Sequence, residues 1–365
     1  MATFPSKVNY ATGDILTATN MNDVGGAINL LDGAQFAAGK NKFINGDFGI
    51  DQRQTSSTTS NGAYIFDRWS TVLSGGTVTY SKQTFTPGAA PVAGYEATNY
   101  LRAISSGQAT GNYAAFSQNI EDVRTFAGQT VTVSFWAKAG TGTPKVGVRV
   151  RQFFGTGGST AVATIATAQT ITTSWARYSF TVAVPSISGK TIGTENTTAL
   201  SLQIIFSDDT TFSSGVGIQN GTFEFWGLQI EAAQTASPFQ TATGTKQGEL
   251  AACQRYYYRQ GGDASIQSFA TGQAILTTVA FADVKHPVTM RVAPTAVDSS
   301  AAATLGLVVR GASVTALNAT PTIDAASKDI TSLRCAVASG LTANQAYSFV
   351  SNSSTAAYVG LSAEL

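Results

Sequence analysis

From Phe43 onward, apolar and polar residues alternate strictly in several separate runs, and this period of two limits the possible folds more than any other feature. Alternation of this kind predicts strands with one buried face, because successive side chains of a strand point to opposite sides. The alternating positions of the five clearest runs are Val131, Val133 and Phe135; Val146, Val148 and Val150; Tyr178, Phe180, Val182 and Val184; Leu200, Leu202, Ile204 and Phe206; and Phe223 and Phe225 with Glu224, Trp226, Leu228 and Ile230 on the opposite face.

Short clusters rich in glycine and serine separate these runs, among them SGGT, AGTGTP, GTGGS and SSGVG. Strands that are joined by such turns, with no helical pattern between them, favour an antiparallel sandwich or jelly roll. A chain of 365 residues is long enough for two domains of this kind. We therefore predict an all-β protein with two β-sandwich, jelly-roll-like domains behind a short N-terminal helical segment.

The domain boundaries follow from shifts in pattern. We assign residues 1–41 to an N-terminal attachment and oligomerisation segment and residues 42–240 to a jelly roll. Residues 241–255 are expected to form a linker, and residues 256–365 a C-terminal β-sandwich. Strand candidates in this last domain include Ala274–Val279, Val288–Val292, Thr304–Val309, Tyr347–Val350 and the C-terminal stretch AAYVGLSAEL.

The N-terminal segment contains one short helical pattern, in which Met21, Val24, Ile28 and Leu31 recur at spacings of three, four and three. This spacing places the four side chains along one seam of a helix. A helix of about four turns is marginal by itself, so it needs a partner. The partner is either further copies of the same helix or a socket on a larger assembly, with packing on its own domain as the alternative.

Charge is scarce in this chain. Charged residues make up 12% of the sequence and the formal net charge is +1, whereas globular proteins carry about twice that fraction. We see no basic stripe for nucleic acid, no apolar run long enough for membrane insertion and no secretory signal. The expectation is a protein made in a cytoplasm, with a polar, nearly uncharged surface that faces other protein copies or glycans.

Nucleophilic catalysis and metal binding both lack the usual residues. The single histidine, His286, is expected to be a surface or rim imidazole, and one histidine is a poor basis for a metal site or a catalytic base. Cys253 and Cys335 are expected to be buried thiols, with a disulfide as the less favoured alternative. We expect no cofactor and no catalytic residue.

Glycan chemistry is the remaining possibility, through paired carboxylates or through aromatic platforms. Glu224 is in phase with Trp226 and is either an inward acid or a solvating group on a strand face. The four tryptophans lie in or near predicted strands, and core packing is the ordinary role of such rings. The candidates for glycan contact are Trp69, Trp136, Tyr256 and Tyr258.

Several stretches together resemble bacteriophage tail-fibre and related virion proteins. NGDFGIDQRQ followed by YIFDRWS is similar to the opening of a module in those proteins, and GQTVTVSFWAKA, WARYSFTVAVP and FEFWGLQIEAAQTASPFQ are similar to its later strands. ELAACQRYYYR resembles the connector that follows, and PVTMRVAPTA and LSAEL resemble the C-terminal domain. YATGDILTATNMNDVGGAINLL resembles the segments by which such fibres begin at the virion.

This resemblance implies a carbohydrate-binding-module-like jelly roll in a homotrimeric tail fibre of the virion. It implies attachment to other tail proteins through the N-terminus, and a host-surface glycan as receptor, with the C-terminal sandwich as the receptor-facing tip. It also places Asp47 near a structural calcium, although one carboxylate is not enough for such a site. The alternatives are a head decoration, collar or baseplate protein without a receptor, and a polysaccharide-degrading tailspike.

Overall fold

The computed structural model describes residues 39–93, 95–209, 211–212, 214–262, 264–309 and 312–365. The predicted oligomerisation residues Met21, Val24, Ile28 and Leu31 lie outside these ranges. The described chain is nearly all β, with 23 strands, one α-helix and two short 3-10 helices at Glu195–Thr197 and Ala302–Thr304. The predicted fold class is confirmed.

The first sandwich has a six-stranded antiparallel sheet, which we call sheet A. Strands follow one another across sheet A in the order β1, β4, β5, β13, β7, β11. Their bounds are β1 Ser57–Thr58, β4 Thr77–Thr84, β5 Asn99–Ser106, β7 Thr130–Ala139, β11 Ala176–Ala183 and β13 Gly221–Glu231.

The second sheet of this sandwich, sheet B, has seven strands in the order β10, β8, β12, β6, β3, β2, with β9 also paired to β8. Their bounds are β2 Tyr64–Phe66, β3 Trp69–Ser74, β6 Tyr113–Glu121, β8 Lys145–Phe154, β9 Val162–Ile165, β10 Gln169–Thr170 and β12 Thr198–Asp208. All five alternating runs of the sequence fall in strands of sheets A and B.

The core of the first sandwich lies between the inner faces of these two sheets. Phe225 of sheet A lies 5.0 Å from Phe116 of sheet B between ring centroids, and Phe206 lies 5.1 Å from Phe223. All four rings are at most 1% exposed. The alternation in the sequence thus places one apolar row of each strand in a shared core, which is the main stabilising term of such a fold.

The C-terminal sandwich consists of a three-stranded sheet C and a seven-stranded sheet D around a separate core. Sheet C has the order β14, β23, β17, and sheet D the order β19, β18, β22, β15, β16, β21, β20. Their bounds are β14 Tyr257–Gly261, β15 Ser268–Leu276, β16 Val279–Lys285, β17 Ala296–Ser299, β18 Leu305–Val308, β19 Thr315–Ala316, β20 Thr322–Ala326, β21 Ile330–Ala336, β22 Ala346–Ser351 and β23 Tyr358–Ser362.

Two strand predictions in this domain need correction. Residues 288–292 form no strand: Met290 is fully buried, and its N–H donates to the carbonyl of Lys328 as a single hydrogen bond outside any ladder. Pro287 precedes this stretch and cannot donate to a ladder. The range 274–279 spans the end of β15, a turn and the start of β16.

The range 241–255, expected as a linker, contains the helix α1, Lys246–Gln254. The side chain of Thr245 accepts from the N–H of Gly248 at 3.1 Å and caps the helix. Glu249 is 3% exposed, and its carboxylate accepts from the N–H of Asn45 at 2.7 Å and from the N–H of Thr243 at 2.7 Å. This range is folded onto the first sandwich because a buried carboxylate joins it to the NGDF segment.

Charged and aromatic groups join the two sandwiches. Arg68 pairs with Glu364, and the guanidinium carbon of Arg53 lies 3.6 Å from the ring centroid of Tyr257. Arg255 holds Glu121 through two hydrogen bonds of 3.0 and 2.9 Å. Across the described residues, no helix has the length and apolar character needed to cross a bilayer.

Candidate functional site

The outer face of sheet A carries a row of charged residues from three neighbouring strands. The register places Glu224 of β13 directly opposite Arg102 of β5 on one side and Lys138 of β7 on the other. Side chains opposite each other on one face of a sheet lie close enough to interact. Pairing of these strands therefore puts a carboxylate between two cations.

The two cations hold the carboxylate in place. The Nε of Arg102 donates to Oε1 of Glu224 at 2.7 Å, and the Nζ of Lys138 lies 2.9 Å from Oε2. The Glu224 side chain is 4% exposed, whereas those of Arg102 and Lys138 are 32% and 29% exposed. Burial opposes the charge of Arg102, but the hydrogen bond to Glu224 holds its pKa above the ordinary value. The outward groups of this row are thus hydrogen-bond donors fixed by a buried acceptor.

Two partly exposed rings lie beside this row. The Nη2 of Arg102 donates to the hydroxyl of Tyr100 at 3.2 Å, and the Nζ of Lys138 lies 5.4 Å from the ring centroid of Trp175. The rings of Tyr100 and Trp175 are themselves 5.5 Å apart in an edge-to-face arrangement. We call these five residues, Tyr100, Arg102, Lys138, Trp175 and Glu224, the Glu224 patch.

The adjoining part of the same sheet face is covered by an aromatic cluster. Trp226 lies 5.3 Å from Trp136, 5.0 Å from Phe239 and 5.6 Å from Tyr95. Trp136, a predicted glycan contact, is partly buried here, and the guanidinium carbon of Arg177 lies 4.7 Å from its ring centroid. Trp136 is therefore packed between a tryptophan and an arginine, next to the Glu224 patch.

Trp69, the second tryptophan predicted to contact glycan, belongs to the core. Its ring is 0% exposed, its Nε1 donates to the carbonyl of Asn45 at 2.8 Å, and Phe43 packs at 5.2 Å. A ring that is enclosed on all sides offers no face to a sugar. This corrects the expectation of glycan contact at Trp69, and the ordinary core role of strand tryptophans explains it.

The tyrosines of the YYY run contribute to the junction and to the second core. Tyr256 is 3% exposed beneath the Arg68 guanidinium, whose carbon lies 3.4 Å from the ring centroid. Tyr258 is partly buried against the core of the C-terminal sandwich. Burial raises the pKa of Tyr256 to about 12, so this hydroxyl stays protonated. The structure thus corrects the expected glycan contact at Tyr256, because its ring is enclosed by the junction.

Asp47, the calcium candidate, lines a cavity of about 490 Å³ that Tyr95, Glu96 and Glu249 also border. Its Oδ2 accepts from the Tyr95 hydroxyl at 2.8 Å, and its Oδ1 from the N–H of Gly49 at 3.1 Å. Nowhere in the described ranges do three or more His, Cys, Asp or Glu side chains come together to hold a metal ion.

The residues considered for nucleophilic chemistry are buried. His286 is 6% exposed, which corrects the expected surface position: Nδ1 lies 2.8 Å from the carbonyl of Lys328, and Nε2 lies 2.9 Å from the hydroxyl of Thr331. Cys253 and Cys335 are buried free thiols, as predicted. Both ring nitrogens of the only histidine are therefore engaged inside the C-terminal sandwich.

Sequence reasoning singled out Glu224 and considered Trp175, but it missed Arg102, Lys138 and Tyr100. Cross-strand register decides this site, and β5, β7 and β13 are far apart in the sequence. The available signal was the alternation within each strand. Lys138 is two residues from Trp136 and so shares its face, and Arg102 directly follows the apolar Leu101 and so points to the opposite, outer face.

No family model and no curated protein matches the sequence. Similar solved structures include the enzymatically active domain of tailspike protein 4 of bacteriophage CBA120, at 17% identity and a TM-score of 0.33, over 53% of this chain and 22% of that chain. The CBM22-2 xylan-binding domain of Xyn10C from Paenibacillus barcinonensis is similar at 15% identity and a TM-score of 0.31, over 48% of this chain and 98% of that one. The family 11 carbohydrate-binding module of Lic26A-Cel5E from Clostridium thermocellum is similar at 10% identity and a TM-score of 0.31, over 49% and 96%. Because these sequence identities and TM-scores are low, the assignment of a function depends on the surface of the protein itself.

Proposed function

We propose that this protein is a glycan-binding subunit of a bacteriophage tail and that the Glu224 patch contacts the sugar. The observation that carries the proposal is the fixed row of Arg102, Glu224 and Lys138 beside the rings of Tyr100 and Trp175. Sugar hydroxyls need positioned donors and acceptors, and the apolar face of a pyranose stacks on an aromatic ring. Groups that are already held in place lose little freedom on binding, which favours affinity.

The glycan contact is assigned to the first sandwich rather than to the C-terminal sandwich. Among the described residues, four of the six exposed large apolar side chains belong to the C-terminal sandwich, namely Ile266 at 76%, Leu276 at 56%, Ile275 at 48% and Ile330 at 43%. The other two, Ile104 at 44% and Ile218 at 39%, belong to the first sandwich. Exposed apolar side chains suit contacts with protein better than contacts with hydroxyl-rich sugars. The C-terminal sandwich is accordingly the part proposed to meet a protein surface, on the virion or on the host.

The phage assignment is supported by the sequence resemblance and by the order of its motifs along the chain. In this proposal the N-terminal segment, with Met21, Val24, Ile28 and Leu31, attaches the subunit to other tail proteins as a homotrimer. Three weak sugar sites on one particle raise avidity through effective concentration, without any new contact. A head or baseplate protein without a receptor remains the alternative.

We propose binding rather than catalysis. His286 is enclosed with both ring nitrogens engaged, and Glu224 is held by two cations rather than by a second carboxylate. Glycosidases use two carboxyl groups across the scissile bond. Incubating the protein with host polysaccharide and finding chains of unchanged length supports binding, and shortened chains would show an enzyme.

Trp175→Ala is the direct test of the binding site. Purified protein is screened on an array of bacterial surface glycans, and the affinity for the best glycan is measured by isothermal titration calorimetry. We expect Trp175→Ala and Arg102→Ala each to weaken binding by about tenfold or more, the loss that goes with about 1.4 kcal/mol of contact energy. The matched control is Phe281→Ala, which removes a partly buried ring of β16 in the C-terminal sandwich. Equal affinity of wild type and Trp175→Ala would refute the site.

The position in the virion is tested separately. Antibodies raised against the purified chain and coupled to gold should label the tail of intact particles. Labelling of the capsid would refute the tail assignment, while leaving the glycan site as a separate question for the binding assay.

A further inference from the structure

The outer face of sheet B, on the other side of the first sandwich, carries two arginines on one strand. Arg149 and Arg151 of β8 are two residues apart, so both side chains point to the same face. Their cross-strand neighbours on β12 are Gln203 and Ser201, neither of which is charged. Two cations thus stand next to each other on a neutral strand surface.

Neither arginine forms an ion pair with a carboxylate of the described residues. Within the described part of the chain, neither arginine has a carboxylate oxygen within 4.0 Å, and Arg151 makes no hydrogen bond there. Nη1 of Arg149 donates to Oε1 of Gln203 at 2.9 Å, but its Nε is buried without a partner. Burial, and then the neighbouring charge of Arg151, lower the pKa of Arg149 below its ordinary value, although the carboxylate of Asp208 acts in the opposite direction. An anion bound at the exposed edges of the two guanidinium groups would relieve the repulsion between them.

Aromatic rings hold the two guanidinium groups in place. The guanidinium carbon of Arg149 lies 4.5 Å from the ring centroid of Phe212, and that of Arg151 lies 4.2 Å from that of Phe153. Stacking on a ring restricts an arginine and leaves its edge free to donate in the plane, the geometry that suits carboxylate and sulfate oxygens.

The rest of this face is made of short polar side chains. Ser201 and Gln203 on β12 are followed by Asn119 and Ser117 on β6 and then by Ser70 on β3. Ser117, Ser201 and Gln203 are buried, whereas Asn119 and Ser70 are partly exposed. Beyond them a cavity of about 320 Å³ is lined by Phe153, Asn119, Arg291 and the acidic residue Glu364, among others. The three side-chain nitrogens of Arg291 donate to the backbone carbonyls of Ala363, Asn196 and Glu364, and the carboxylates of Glu121 and Glu364 act on its charge. This cavity is therefore not part of the proposed anion site.

We propose that the outer face of sheet B binds an acidic polysaccharide, with its anionic groups on Arg149 and Arg151 and its hydroxyl groups on the partly exposed side chains of Asn119 and Ser70. The ligand class is set by two adjacent guanidinium groups that have no ion-pair partner among the described residues, on the same face as these uncharged hydrogen-bonding groups. A single-stranded nucleic acid fits less well, because bases need free aromatic faces for stacking. The rings of Phe153 and Phe212 are covered by the arginines.

This site is independent of the Glu224 patch, since sheets A and B turn their outer faces in opposite directions. The neutral substitutions Arg149→Gln and Arg151→Gln remove the charge and keep a polar side chain of similar reach. Arg151→Gln breaks no hydrogen bond to the described residues, so its fold should persist. The control is Arg334→Gln on β21, an exposed arginine of sheet D that changes the net charge equally.

Calorimetric titration with oligogalacturonate, dextran sulfate, neutral dextran and a single-stranded oligodeoxynucleotide tests the proposal. We expect one of the two acidic polysaccharides to bind, the neutral dextran not to bind, and the double variant to bind about tenfold or more weakly. Oligogalacturonate carries carboxylate groups and dextran sulfate carries sulfate groups, so the comparison shows which anionic group the site prefers. Arg334→Gln should leave the affinity unchanged, and Arg151→Gln should give an intermediate value.

Four results would overturn the proposal. The first is equal affinity of the wild type and the double variant, and the second is an equal loss in Arg334→Gln, which would indicate only the net charge. The third is tighter binding of the oligodeoxynucleotide than of either acidic polysaccharide, and the fourth is no binding of either polysaccharide at millimolar concentration. Loss of glycan binding in Trp175→Ala with intact binding of acidic polysaccharide separates this site from the Glu224 patch.

Discussion

The guanidinium carbon of Arg68 lies 3.4 Å from the ring centroid of Tyr256, so a strand end of the first sandwich contacts the residue at which the second begins. Arg68 is 2% exposed, and the carboxylate of Glu364 at the far end of the chain meets its charge. Burial opposes the charge of Arg68, yet Glu364 and the nearby tyrosines hold its pKa above the ordinary value. The junction between the sandwiches is therefore organised around one buried cation.

Arg68→Ala should destabilise the protein strongly. Among the described residues, it leaves the enclosed Glu364 carboxylate with Arg53, at 3.5 Å, as its one ion-pair partner. Removing one member of a buried pair costs about 3–5 kcal/mol, to be measured by urea denaturation. The control Arg124→Ala breaks the exposed pair with Glu195 and should change the midpoint little. A small effect at Arg68 would mean that the two sandwiches do not depend on this contact.

Asp67 should make the stability fall between pH 4 and pH 6. Burial raises the pKa of its carboxyl to about 6, more than Arg53 and Gln52 lower it, whereas an unfolded aspartate titrates near about 3.9. The folded state thus holds this proton more tightly. The protonated Asp67 carboxyl therefore stabilises the folded state by about 2–3 kcal/mol relative to a normally titrating aspartate. This stabilisation is complete below the unfolded pKa and is lost as the pH rises through the folded pKa.

The comparison of wild type with Asp67→Asn isolates this effect. The amide cannot ionise, so the difference in unfolding free energy between the two proteins should shift in favour of Asn as the pH rises from 4 to above 6. Urea denaturation at fixed ionic strength measures the difference at each pH. A difference independent of pH would show that Asp67 titrates normally.

Gly227→Ala should disturb the aromatic cluster on sheet A. Gly227 has φ +66°, and a Cβ atom there would lie 2.8 Å from Cε3 of Trp136. We expect the free energy of unfolding to fall by about 2 kcal/mol or more, because left-handed backbone strain and overpacking act together. The tryptophan emission spectrum should also change. Gly142→Ala, at φ +68° with no atom within 4 Å of the added carbon, measures the strain alone. Equal losses at the two positions would contradict the contact with Trp136.

Neither cysteine should react with a thiol reagent in the folded protein. Cys253 and Cys335 are both 0% exposed, and burial raises both thiol pKa values, that of Cys335 to about 12. Low thiolate content and lack of access both slow the reaction. Titration with a chromophoric disulfide should detect no thiol natively and two in denaturant, without a reducing agent. Fewer than two in denaturant would indicate a disulfide.

The sequence was sufficient to assign side chains to the two faces of a sheet, because successive side chains of one strand alternate between those faces. Val131, Val133 and Phe135 are buried as the period of two predicts. Phe223 and Glu224 do point to opposite faces, but both are buried, since Arg102 and Lys138 cover the carboxylate. Alternation gives the face of a residue, and the neighbours on other strands decide its exposure.

Contacts between distant segments could not be read from the sequence. The prediction of a linker at 241–255 relied on composition, whereas the helix there is fixed by Glu249, whose partner Asn45 is 204 residues away. Trp69 was weighed as a sugar platform because nothing nearby marks it as a core residue; its partner Phe116 belongs to another strand. Both outcomes depend on which segments meet in space.

The pairing of Arg68 with Glu364 also sets an order of events during synthesis. The two residues are 296 positions apart, so Arg68 leaves the ribosome long before its partner exists. Domains generally fold as units with the N-terminal one first. The nascent first sandwich must therefore keep Arg68 hydrated, and that charge can be buried only after Glu364 has been translated. Translation that stops just short of Glu364 would release a chain whose first sandwich has folded but whose junction cannot close.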